Sequence, residues 1–389
     1  MTNRALSGHG DGGNTTAQAK KAARRIAWDY LRTFVTILVL WHHSILAYSS
    51  IGRINTENPL ATSSPVVDGQ RSFVLDLMVV FNDSFMMPLM FFISGLFVWR
   101  SLEHKGVRKY LGDRLKRLGI PFILGILIWM PLAWYPAQLQ VDEISGVNTG
   151  YGEFWLLAIR STPGPLWFLW LLLVFDGIVA LLFRAVPRPH RRFGRYTTTV
   201  FEHSSRFFGS LLVVSTAAWL PMLLVFGPLD WLGFVPFQAQ ASRIFFYLVY
   251  FLAGTAVGAY GLDHGILQAD SLLAGRWWAW MALGLVAYVG VIFIGQSIYP
   301  LTCAALGLGF IAIFLRFAKR HVGVFDSLSD NAYGIYIFHY LFVTWLQYRL
   351  LGVDILGVLK ASLVFGGAFI LSLGTTALLR RIPALARVI

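Results

Sequence analysis

Four ionisable side chains, Asp29, Arg32, His42 and His43, sit inside one membrane-length apolar segment, WDYLRTFVTILVLWHHSILAY at residues 28–48. An arginine at a bilayer centre costs about 2.5–3.5 kcal/mol on insertion scales, so such residues are rare unless they act there. At about 100° per residue, the step from Arg32 to His43 turns a helix by about 1100°, which brings the two within about 20° of one face. Thr36 falls on that face, and Asp29 lies one turn below Arg32. One stripe therefore carries carboxylate, guanidinium, hydroxyl and imidazole in order along the axis, like the wall of a polar path. Imidazole, with an unperturbed pKa of about 6.5, is suited to taking a proton from a hydroxyl near neutral pH. His42 lies about 80° off the Arg32 face, where a neutral imidazole bonding a neighbouring helix is the ordinary reading. Arg32 alone could snorkel towards the cytoplasm with Asp29 as its local partner. That accounts for each residue singly, but not for His43 on the same stripe.

The elements that must position these groups are membrane helices. Hydrophobic residues make up 57% of the chain and charged residues 13%, which excludes an ordinary soluble domain. Ten spans are expected, near 28–48, 73–99, 119–137, 165–186, 207–226, 243–260, 277–294, 300–317, 328–349 and 359–380, most of them about the 20 residues that cross the hydrocarbon. The second is long and contains Pro88, so a tilt or kink is expected there. With the N-terminus placed in the cytoplasm, 25 of the 32 Lys and Arg fall on the inner side and 6 on the outer, with Arg32 within a span. This bias puts both termini inside. The fold class expected is thus all-α, a polytopic membrane protein of about ten transmembrane helices with cytoplasmic termini. The net charge of +13 is mainly this topology signal, and it suits contact with anionic membrane lipids. Nucleic-acid binding would explain the charge but not the spans. Cys303 is the sole cysteine and reads as a buried thiol. Residues 1–25 are expected to be a disordered basic tail ahead of a transmembrane domain at 26–389.

Other residues offer chemistry along the chain. His339, in YGIYIFHY, is the third histidine inside a span, with a lean towards a structural role. Arg114 and Arg117 are three apart in DRLKRLGIP and share one face of a short helix. Paired arginines clamp phosphates, although, taken alone, positive-inside charge near lipid headgroups is the better account of them. Asp76 and Asp83 are seven apart and face one way, towards the bundle interior or the outer surface. Ser94-Gly95 lies where glycine permits close helix contact. Trp167 in PGPLWFLW reads as an interfacial anchor or a pocket-mouth residue. Asp176 has no partner that the sequence identifies. There is no GxxxxGK[ST] loop, no HExxH and no Cys/His cluster with metal spacing, so neither an ATP-driven machine nor a metal centre is expected.

At these residues the chain resembles the membrane-bound acyltransferase-3 family. DYLRTFVTILVLWHH resembles its Asp-x-x-Arg followed by Arg-x10-His, with His43 rather than His42 in the family position. SFMMPLMFFISGLF resembles its Phe-rich Ser-Gly segment, and DRLKRLGIP its Arg-x-x-Arg before proline. PLWFL and, much later, YGIYIFH complete the ordered set over most of the chain. AYSS and RLKRLGIP resemble most the branch that succinylates osmoregulated periplasmic glucans. The resemblance implies transfer of an acyl group, acetyl or succinyl in type, from cytoplasmic acyl-coenzyme A as co-substrate to a hydroxyl of an extracytoplasmic or lipid-linked carbohydrate, in a bacterial plasma or inner membrane. It implies an essential His43 supported by Arg32, with Arg114 and Arg117 at the donor entrance. From their positions, Asp29 is expected to join the catalytic set, Ser94 the donor site, and Asp83, Trp167 and His339 the substrate site. Two departures concern the acceptor. Many relatives have histidine where this chain has Pro165, and some glucan-type relatives have arginine where it has Met86.

The same reaction fits the residues without the family. His43 lies about 22 Å along its helix from the cytoplasmic end, within reach of a pantetheine arm whose phosphates stay on cytoplasmic arginines. A secondary transporter with an Asp/Arg/His relay is the alternative, and paired broken helices that would mark it are not evident. The topology has a direct test. A reporter that works only outside the cytoplasm is expected to stay silent when fused after residue 389, and activity there would reject the assignment of the termini.

Overall fold

Polar groups in a bilayer need protein around them, and the architecture supplies it by laying α1 (Asp11–Leu46) along α12 (Gly323–Arg349). The computed structural model describes residues 11–62, 64–185, 199–262, 264–386 and 388, with side chains described from residue 26. The tail expected at 1–25 lies outside the residues whose side chains are described, and its backbone from Asp11 is the first part of α1. Between α1 and α12 run α2 (Phe73–Asp83), α3 (Met86–Gly95), α4 (Val98–Lys105), α5 (Val107–Arg114), α6 (Met130–Ser145), α7 (Trp167–Ala185), α8 (Ser204–Phe226), α9 (Ile244–Tyr260), α10 (Trp277–Ile294) and α11 (Tyr299–Phe317), with α13 (Gly357–Leu379) last. Among the described residues a single antiparallel hairpin, β1 (Trp231–Phe234) with β2 (Phe237–Gln240), pairs Trp231 with Gln240 and Phe234 with Phe237. The protein is an all-α polytopic membrane protein. Among the described residues, eight helical stretches are long and apolar enough to cross a membrane. The spans expected at 28–48 and 328–349 are not among the eight, although α1 has 36 residues and α12 has 27. Their ionisable and hydroxyl-bearing side chains lower their hydropathy, and these are the two helices that carry His43 and His339.

α1 and α12 run parallel in constant register. Tyr30 donates to Asp326 Oδ1 at 2.7 Å and Thr33 Oγ1 meets Ser329 Oγ at 2.8 Å, each pair 296 residues apart in sequence. His43 and His339, separated by the same interval, are ring neighbours further along. α13 returns beside α12, and Arg380 donates to the Asp330 carbonyl at 2.7 Å. Residues 30 and 380 therefore lie at one end of the bundle.

The long second span breaks, but not at Pro88. α2 stops at Asp83 and α3 starts at Met86, which places Pro88 in the first turn of α3. There its missing N–H would have had no partner within the helix, so proline marks a helix start rather than an interior kink. The Ser84 hydroxyl donates back to the Val80 carbonyl at 2.7 Å. Below the break, α3 packs on α9 with backbones in contact. A Cβ at Gly254 would lie 2.1 Å from the Phe92 carbonyl oxygen, and one at Gly258 would lie 1.9 Å from that of Leu96. Gly95 meets Phe251 in the same way, so the close contact expected at Ser94-Gly95 is made. The helix from Val107 to Ser145 is continuous through two π-helical turns, Leu115–Gly119 and Gly125–Trp129.

At the His43 end, the segment after α1 is tied to α13 by a buried ion pair. Lys360 Nζ lies 2.6 Å from Asp68 Oδ2, with side chains 1% and 4% exposed. The sequence placed Lys360 among the outer loop basics, whereas the fold encloses it. Removing one partner of a buried pair leaves the other charge uncompensated, at a cost of about 3–5 kcal/mol. Lys360→Met is therefore expected to lower the melting temperature in detergent markedly, and adding Asp68→Asn is expected to recover part of the loss.

Candidate active site

His43 occupies the last turn of α1, where helix carbonyls lack intrahelical partners. Gln347 on α12 meets that need. Its Nε2 donates to the His43 carbonyl at 2.9 Å and to the Ser44 carbonyl at 3.2 Å, and the side chain is 1% exposed. The His43 ring lies 5.3 Å from that of His339 and 4.9 Å from that of Tyr340, centroid to centroid. His339 is 1% exposed, and its Nδ1 lies 2.6 Å from the Tyr336 carbonyl oxygen. A carbonyl only accepts, so Nδ1 carries the proton and the neutral ring keeps its lone pair on Nε2. That Nε2 and the Nδ1 of His43 are enclosed without hydrogen-bond partners. Buried polar atoms in this state are uncommon and call for an explanation such as catalysis. His339 thus stands beside His43 in the same polar centre.

The lining of this centre comes from distant segments. Trp134 on α6 packs against Tyr340 at 6.1 Å between ring centroids. Gly164 precedes α7 at φ +52°, and a Cβ there would lie 3.4 Å from Trp134 Nε1 and 3.5 Å from a Tyr340 ring carbon. The next residue, Pro165, accepts from the Tyr336 hydroxyl through its carbonyl. The position where many relatives carry histidine therefore contributes backbone here.

Along the stripe, Arg32 lies 3.2 Å from Asp29, with side chains 48% and 38% exposed. Asp29 is its local partner, as the sequence suggests. Thr36 is buried and donates to the Arg32 carbonyl at 3.1 Å, so its hydroxyl is engaged within its own helix rather than offered to a path. Arg117 is near enough to act electrostatically on Arg32, and its carbonyl accepts from Tyr333 on α12.

Arg114 and Arg117 are not equivalent. Arg114 Nε donates to Tyr110 Oη at 3.1 Å and lies 3.1 Å from Asp176 Oδ2, while Tyr110 donates to Asp176 Oδ1 at 2.5 Å. Asp176 is fully buried, so the aspartate without an assigned partner is the anchor of Arg114. Arg117 is exposed and forms no ion pair with a described residue. Arg114 caps the π-turn Leu115–Gly119, and Arg117 lies within it. The turn changes the facing that a regular three-residue step would give, and such turns concentrate at functional sites.

Of the remaining candidates, Ser94 is half-buried in the turn that contacts α9. Trp167 stacks on Tyr247 at 5.5 Å and meets Phe91 at 6.2 Å. Asp83 is paired with Arg243, which sequence reasoning counted as a loop basic. Arg243 and Gln347 are the polar groups the sequence reading missed. A lone glutamine within FVTWLQY was a usable signal for Gln347, whereas Arg243, at the edge of a span, resembled any other topology charge.

Residues 25–381 match the family described as Acyltransferase domain. A match over most of the chain establishes that the protein belongs to the acyltransferase-3 family, and it is an acyltransferase rather than a secondary transporter. Among curated proteins it is similar to Glucans biosynthesis protein C of Escherichia coli (strain SMS-3-5 / SECEC), 26% identical over 171 residues, 42% of this chain and 40% of that protein. The match thus spans about two-fifths of that relative's length. No solved structure matches.

The two adjacent histidines allow an internal comparison. His43→Ala is expected to lower the rate of acyl transfer by about 10²–10⁴, the usual loss for a general base. His42→Ala is expected to lose much less at matched expression. Equal residual activity in the two variants would remove His43 from the chemical step.

Proposed function

We propose that this acyltransferase moves an acyl group of acetyl or succinyl type from cytoplasmic acyl-coenzyme A to a hydroxyl of an extracytoplasmic or lipid-linked carbohydrate. The observation that carries this reading is the His43–His339 pair, set in the bundle further along α1 than Arg32, with Arg117 at the Arg32 end. The carbohydrate acceptor draws support from the similarity to a glucan-biosynthesis protein. In this reading the chain makes ten spans, the Arg32 end faces the cytoplasm and the His43 end faces outward.

The donor's phosphates contact Arg117 and the terminal nitrogens of Arg114, whose Nε is the atom tied to Asp176. The pantetheine arm runs past Ser94 and Arg32, with Asp29 holding the Arg32 guanidinium in place. His43 takes the proton from the acceptor hydroxyl as its oxygen attacks the thioester carbonyl. The new C–O bond forms, the C–S bond breaks, and the proton passes to the departing thiolate, so that the products are the ester and free coenzyme A. His339, with its lone pair fixed on Nε2, lies against His43 and the reacting hydroxyl. Direct displacement of this kind needs no acyl-enzyme, since the acceptor is bound when the donor reacts.

The test uses purified full-length protein in nanodiscs, with labelled acetyl- and succinyl-coenzyme A supplied on the Arg32 side. A charge-assisted hydrogen bond contributes about 1.5–3 kcal/mol, so Arg117→Ala is expected to weaken donor binding by about ten- to a hundredfold while slowing chemistry less. Unchanged donor affinity would return Arg117 to a topology role. Failure of the unaltered protein to bind either donor would sink the coenzyme A reading.

A further inference from the structure

Beside the two histidines lies a second polar cluster, centred on the break between α2 and α3. Asp83 ends α2, and Arg243 ends the short turn Ala241–Arg243 that leads into α9. Their side chains meet at two points, Nη1 to Oδ1 at 2.7 Å and Nη2 to Oδ2 at 2.6 Å. The partners are unequally covered. Arg243 is 5% exposed with its guanidinium 4.5 Å over the Tyr299 ring, whereas the Asp83 side chain is 42% exposed. Each carboxylate oxygen can accept twice, and arginine takes one position on each. The remaining lone pairs of Asp83 meet no described donor, and the side chain is partly exposed. His42 is within electrostatic range of both charges, and its Nδ1 is enclosed without a partner. On the other flank Tyr247 interacts with Arg243 and stacks on the half-buried Trp167 at 5.5 Å. Trp167 in turn meets Trp231 of the hairpin edge-on at 6.4 Å, and Trp231 is 50% exposed. A continuous wall therefore leads from an exposed indole to the residue next to His43.

We propose that this wall is the acceptor subsite and that it takes a neutral sugar ring. The proposal rests on the carbohydrate O-acyltransferase reading above. Adjacent sugar hydroxyls donate to the free lone pairs of Asp83, which Arg243 holds in a fixed orientation. The C–H face of the ring lies on the Trp167 indole, and Trp231 extends the same surface for the next residue of a longer glycan. The charge balance selects the class. Asp83 and Arg243 cancel, and His42, Tyr247, Trp167 and Trp231 add no fixed charge. An anionic sugar would bring a second negative charge beside Asp83, whose one counter-charge, Arg243, is already engaged, and like-charge juxtaposition is strongly unfavourable. A neutral polyol brings donors that the carboxylate lacks.

Charge exchange separates this role from a purely structural ion pair. With neutral hexo-oligosaccharides as the probe, Asp83→Asn is expected to raise the acceptor KM at least tenfold while the acyl-coenzyme A Kd stays unchanged. Trp167→Ala is expected to act in the same direction. Asp83→Arg combined with Arg243→Asp restores opposite charges in reversed positions, so it is expected to recover the melting temperature lost in either single variant but not the acceptor KM. Recovery of both together would overturn the proposal and leave the pair as a helix tie. Transfer by the unaltered protein to phosphorylated or uronic-acid sugars but not to neutral ones would overturn the neutral class. Absence of acyl-coenzyme A binding in the unaltered protein would instead locate the failure in the underlying reading.

Discussion

The fold depends on the need to cover polar side chains within a bilayer, and the contact between α1 and α12 meets that need. Imidazole and guanidinium groups facing lipid would be strongly disfavoured. Here the helix that carries His43 lies in constant register on the helix that carries His339, which covers the Tyr30, Thr33 and His43 side of α1, while Arg32 stays about half exposed against Asp29. The contact is fastened at both ends, by Tyr30 to Asp326 and Thr33 to Ser329 at one, and by Gln347 to the last-turn carbonyls of α1 at the other. Side-chain hydrogen bonds across membrane helices are individually modest, about 0.6 kcal/mol on average. Their value here is geometric, because parallel helices pinned at two heights cannot slide or rotate independently.

The other irregular features have separate physical origins, and they shape the two ends of the same polar stripe. The α2–α3 break releases Asp83 from a regular helix and aims it at Arg243. The π-turn at Leu115–Gly119 starts beside a half-buried, anchored Arg114 and carries an exposed Arg117. The glycines of α3 and α9 allow a backbone approach that no side chain would permit, and this brings the start of α9, with Arg243, level with the end of α2. Gly164, in a left-handed conformation that favours glycine, lets the segment before α7 lie against Trp134 and Tyr340. Each feature departs from ideal helix geometry, and departures of this kind gather where a site must be shaped.

Much of the fold and part of the site were legible beforehand. Eight stretches were readable as membrane-crossing helices because apolar length is a local property. The Asp29–Arg32 pairing was legible because it is a contact within one helix turn. The break in the second span was expected but misplaced, since proline in a first turn and proline in a helix interior look alike until the helix start is known. The partners of Asp83, Asp176, Asp68 and His43 were not legible. They are Arg243, Arg114, Lys360 and His339, all on other helices, and nothing local in sequence relates them.

The sequence by itself determined the membrane class, eight of the apolar helices and the family, along with a polar stripe that carries Arg32 and His43. These follow from composition, periodicity and ordered motifs, which need only one helix at a time. The tertiary structure decided which charges are neutralised, which lone pair of His339 is available, and which polar groups lie against one another. Those properties arise from packing between helices far apart in the chain, where desolvation and hydrogen bonding depend on neighbours that spacing along one helix does not specify.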